Sequence, residues 1–103
     1  MTITHGVVNH ELVRKSVAQL ERRLPNAKMV LYRVGQDWTG EWALFLGVVL
    51  ANDAIRRNRL ETLVKEVTTA ATAYLDSKNL GLQIYFSFRS ESEQRSRDVE
   101  SWL

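Results

Sequence analysis

Residues 29–53, MVLYRVGQDWTGEWALFLGVVLAND, constrain the fold more than any other stretch of the chain. Residues 29–34 are rich in Val, Leu and Tyr, which suit a pleated surface. Residues 42–50 are apolar throughout and carry no charge. Between them, GQDWTGE supplies turn chemistry, with Gly free to take positive φ and Asp able to bond its own backbone. Two apolar runs around a short Gly-containing loop predict a β-hairpin, with a loop of about five residues. The expected register pairs Val34 with Trp42, Tyr32 with Leu44 and Val30 with Leu46 on one bulky face. The other face then carries Met29, Leu31 and Arg33 opposite Gly47, Phe45 and Ala43. A sheet with one wet side alternates apolar and polar residues, and this second strand does not, so its second face also needs a cover.

The flanking segments supply helices. Val13, Val17, Leu20 and Leu24 recur at helical spacing and predict a helix over residues 7–24, with Asn9 as N-cap and Glu11 in the first turn. Pro25 ends it. After the hairpin, Leu60, Leu63, Val64, Val67, Ala70, Ala71, Tyr74 and Leu75 form the strongest periodic stripe, predicting a long helix to about residue 78. Two starts compete: Asp53 directly, or Asn58 with Glu61 as a capping box after a short turn at residues 54–57. Asn79 and Gly81 are suited to a left-handed exit. Residues 82–88 alternate, Leu82, Ile84, Phe86 and Phe88 against Gln83, Tyr85, Ser87 and Arg89, as an edge strand does. Residues 89–103 read as a polar C-terminal helix or tail, opened by a Ser90–Glu93 capping box and apolar only at Val99, Trp102 and Leu103.

The order α-β-β-α-β-α predicts a single two-layer α+β sandwich over residues 1–103, with a three-stranded sheet. The crossover through the long helix allows the last two strands to run parallel. Type II KH-like RNA-binding domains and small iron–sulfur assembly scaffolds share that topology, an analogy of fold alone. The GxxG loop of the first and the cysteines of the second are both missing from this sequence.

With no cysteine, the chain has no disulfide framework and no thiolate chemistry. The first residues lack the basic start and apolar run of a signal peptide, so the expected location is the cytoplasm. No stretch is long enough to span a bilayer. A net charge of +2, from 14 basic and 12 acidic residues, leaves no single-sign field, so any polyanion site must be local.

The segments TGEWALFLGVVLAND and YFSFRSESEQ resemble a family of small uncharacterised bacterial proteins whose genes neighbour HEPN-type toxin genes. The resemblance covers roughly the last two thirds of the chain and implies an antitoxin-like or accessory role in an operon. It names no catalytic residue.

Candidate chemistry is sparse. Asp37 and Glu41 beside Trp38 and Trp42 could form an acid–base pair or an oxygen site for a cation, but turn loops carry acids for other reasons. Trp38 at a loop tip either serves an interface, where Trp is enriched, or folds back over the sheet edge. Arg56, Arg57 and Arg59 fall at the start of the long helix, where they oppose its dipole or hold a phosphate. Tyr85 and Arg89 share a strand face as an aromatic–cation pair able to stack a base. His5 and His10 lack a third ligand nearby, so no metal or cofactor is expected, and no base activates a serine.

The expected function is a cytoplasmic protein-interaction module without catalysis of its own, binding a partner or a second copy through Trp38, Leu31, Phe45 and Trp102. The apolar patch Met29, Leu31, Ala43, Phe45 and Val49 motivates it: a homodimer or an obligate partner would cover what the few apolar residues of the tail cannot. The alternative is RNA binding through Arg56, Arg57, Arg59, Tyr85 and Arg89.

Overall fold

A computed structural model of the chain describes residues 8–96. Helix α1, His10–Arg23, leads into strand β1, Ala27–Gln36, and strand β2, Trp42–Leu50. Helices α2, Asn52–Arg57, and α3, Leu60–Asp76, cross back to strand β3, Gln83–Ser90, and helix α4, Glu91–Ser96, follows. The sheet order is β1-β2-β3, antiparallel between β1 and β2 and parallel between β2 and β3. The architecture is therefore the α+β class that the hydrophobic periodicities predict, with β3 at an edge.

Local chemistry sets the ends of the elements. Asn9 caps α1, its side chain accepting from the Leu12 N–H at 3.0 Å. Glu93 N–H donates to Ser90 Oγ and Ser90 N–H donates to Glu93 Oε1, both at 3.1 Å, so the predicted capping box opens α4. Asn79 and Gly81 both take positive φ at the exit of α3.

The long helix departs from both predicted starts. It is broken into α2 and α3, with Ala51 and Arg59 as N-caps that make no side-chain cap bond. Asn58 instead closes α2, donating through Nδ2 to the Ala54 carbonyl at 2.9 Å. The N-terminus of α2 takes its acceptor from α4: Glu91 Oε1 receives the Asn52 N–H at 2.9 Å. A carboxylate there satisfies an orphan donor and suits the dipole.

The core lies between the helices and one sheet face. Val13, Val17, Leu20 and Leu24 of α1 and its exit meet Val67, Ala71 and Leu75 of α3 over Val30, Leu44, Leu46, Val48 and Leu50. Glu21 ties α1 to the sheet rim, accepting the Val30 N–H at 2.8 Å. That contact occupies a backbone donor on edge strand β1 that an added strand would otherwise use.

The register corrects the expected one by two residues. Val34 pairs with Leu44, Tyr32 with Leu46 and Val30 with Val48, while Gly35 and Gln36 belong to β1 opposite Ala43 and Trp42. The face assignments survive, because a slip of two preserves the pleat.

Candidate functional site: an aromatic row on the second sheet face

On the face away from α1 and α3, Arg33, Phe45 and Tyr85 sit at one level on β1, β2 and β3. The Arg33 guanidinium lies over the Phe45 ring, 4.2 Å from its centroid. Phe45 stacks on Tyr85 at 5.4 Å with an interplanar angle of 21°. Trp38 closes the row from the hairpin loop, 5.2 Å from Tyr85 and tilted by 51°. The result is a cation, two stacked rings and an indole running across all three strands. Gly35 lies beside it: a Cβ there would stand 2.7 Å from an Arg33 guanidinium nitrogen, the flexible end of that side chain.

The loop residues 37–41 owe their shape to Asp37. Its Oδ1 accepts from the Thr39 N–H at 2.9 Å, the Thr39 hydroxyl at 2.6 Å and the Glu41 N–H at 3.1 Å. Gly40, at φ +86°, supplies the left-handed step. The second oxygen, Oδ2, accepts the Tyr85 phenol at 2.7 Å and so fixes the loop to β3. The Thr39 hydroxyl first, then the Tyr85 phenol, hold the Asp37 carboxyl down at about 2. The same bond to Asp37 raises the Tyr85 phenol above its ordinary value. With its lone pairs engaged, Asp37 is a structural anchor of the loop. Among the described residues no group of three His, Cys, Asp or Glu side chains comes together to hold a metal.

Trp38 packs one side against Tyr85 yet stays 80% exposed, and Met29 is 41% exposed. Leu31 and Phe45 are half-buried beside them. The rest of the expected apolar patch is not open. Ala43 is buried and Val49 is only 3% exposed, at the end of the face where α4 meets β2 and β3. Trp102 lies outside the described residues.

The residues of the nucleic-acid alternative are distributed otherwise than the sequence implies. Arg56 and Arg57 lie in the last turn of α2, where they favour its dipole, and Arg56 pairs with Asp53. Arg59 caps α3. Tyr85 and Arg89 do share a face, but four residues apart on a strand, roughly 13 Å, so they do not stack. Arg89 is 8% exposed and donates to Gln94 of α4 at 3.3 Å. On this sheet face the cation that meets an aromatic ring is Arg33, which sequence reasoning left out of the site. Its signal was present as a lone charge in an otherwise apolar strand, but the slipped register put Ala43 opposite it in place of Phe45.

No family model matches the sequence, and no curated protein matches it. Solved structures do resemble it. The copper form of the MamM CTD superposes with a TM-score of 0.55 at 15% identity, covering 86% of this chain and 87% of that one. A variant of the same domain, also in a copper form, gives 0.53 at 18% identity over 81% and 99%. A nickel form of another variant gives 0.51 at 19% over 79% and 98%. At these identities the chain shares the fold of those domains.

Proposed function

We propose that the protein is a non-catalytic interaction module whose recognition surface is the second sheet face, centred on Phe45, Tyr85 and Trp38 and extended by Leu31 and Met29. One observation carries this reading: an indole left 80% exposed although the fold holds it in place through Tyr85 and the Asp37-braced loop. Immobilising a large apolar group in water costs the chain and gains it no core, whereas rigid aromatics that lose little freedom on binding are the usual anchors of interfaces. An antitoxin-like or accessory role in a bacterial operon belongs to the same proposal and rests on the sequence resemblance, and the cytoplasmic location expected above belongs to it too. Copper and nickel stay with the neighbouring domains solved in those forms, since the likeness to them is one of fold.

The test is Trp38→Ala in the full chain. Its melting temperature should stay within about 2 °C of wild type, since little is buried at the site. Its binding to a partner purified from the native host should fall at least tenfold, as hot-spot truncations do. A drop of several degrees with binding intact would place Trp38 in the core and end the reading. An RNA retarded by wild type and released by Trp38→Ala would assign the aromatic row to base stacking instead.

A further inference from the structure

We infer that the partner on this face is a second copy of the chain, packed sheet to sheet about a two-fold axis along β2, with Arg33 of each copy over the Tyr85–Trp38 end of the other. This rests on the reading of the face as an interaction surface and names its occupant.

The argument is one of complementarity. The row is chemically lopsided: a guanidinium at its β1 end, and at its β3 end the exposed Trp38 indole, packed on a Tyr85 whose one face is already stacked on Phe45, beside the Asp37 carboxylate. Glu41 adds a second exposed acid there, close enough that its charge bears on the Tyr85 phenol. Aromatic faces are electron-rich and attract cations, most strongly when water is excluded. A surface complementary to the row therefore presents acid and an aromatic ring opposite Arg33, and a cation opposite Trp38 and the Asp37 and Glu41 carboxylates. Rotation by 180° about an axis along β2 exchanges β1 with β3 and leaves β2 facing β2. It lays Arg33 on Tyr85, Tyr85 on Arg33 and Phe45 on Phe45, so a second copy has the required order by construction. The next level down the face is Leu31, Gly47 and Ser87, and its side-chain-free centre lets the backbones approach. Strands that stay nearly aligned are one of the two ordinary ways for sheets to pack face to face.

The experiment measures mass by sedimentation equilibrium over a range of concentrations, on the full chain, with circular dichroism to confirm folding. Wild type should be a dimer. Arg33→Glu and Glu41→Arg, both at exposed positions, should each raise the dissociation constant about tenfold by setting like charges together. The double reversal Arg33→Glu with Glu41→Arg should recover most of that loss, because each end then meets its opposite again. Phe45→Asp should give a monomer. A dimer whose double reversal is no tighter than the single changes overturns the assigned packing. A monomeric wild type overturns the second copy, and Trp38→Ala then decides separately whether the face binds anything. A monomer whose stability collapses on removal of residues 97–103 identifies the chain's own C-terminal segment as the cover.

Discussion

Asp37 is the residue on which the exposed end of the sheet depends, and protonation is the way to release it. Its carboxyl is held at about 2 against an ordinary 3.8, so its contribution is complete above the ordinary value and is lost as pH falls through about 2. Tyr85 has the opposite sense. The neutral phenol is the form that donates, so its contribution is complete below its ordinary 10.0 and is lost as pH rises through the higher folded value. Carboxyl NMR of Asp37 should therefore show a midpoint near 2 in wild type. Tyr85→Phe should raise it part of the way to 3.8, and Thr39→Val further, because the threonine hydroxyl is the larger cause. A midpoint unmoved by Tyr85→Phe would mean that the phenol does not bond the loop. The acids at positions 37 and 41 were visible in the sequence as turn chemistry. That one of them would pin a tyrosine 48 positions away was not, because a local pattern carries no information about which strand lies alongside.

At the scale of the elements, what the sequence made legible was local and what it hid was tertiary. Asn9 and the Ser90–Glu93 pair lie within one turn of the groups they cap, and both are found as expected. The break between α2 and α3 was legible only as two competing starts, at Asp53 and Asn58, and the N-caps that form are instead Ala51 and Arg59. It follows from Glu91, a residue of α4, holding the Asn52 N–H, and from Asn58 turning back onto Ala54. The hairpin register was likewise decided by the Asp37 bonds, which keep the loop to residues 37–41 and leave Gly35 and Gln36 in the strand. One consequence can be measured. Arg59 caps α3 without a side-chain acceptor, so its first turn has orphan donors and an unhelpful positive charge. Arg59→Asp should stabilise the fold by roughly 1 kcal/mol, a rise of several degrees in a thermal melt. No gain would mean that α3 does not begin at Leu60.

For the molecule as a whole, β2 is the central strand of the sheet on which the helices pack. Its neighbours are β1 on one side and β3 on the other, and residues 43, 44 and 46–50 are all buried. Its amides should exchange with solvent only through global opening, while the outer edges of β1 and β3 exchange through smaller local ones. Hydrogen exchange followed by NMR should rank β2 as the slowest of the three strands; faster exchange there than in α1 would overturn the topology. The same strand has a second life when the fold opens. WALFLGVVL is a nine-residue run, uncharged, proline-free and rich in β-branched and aromatic residues, which is the composition of segments that stack into fibrils. In the native sheet both of its backbone edges are taken. In the open chain only Glu41 before it and Asp53 just after it act as gatekeepers. Solubility during expression and refolding will therefore follow the population of the open chain, so a surface change that lowers that population will improve yield even where it leaves the recognition face untouched.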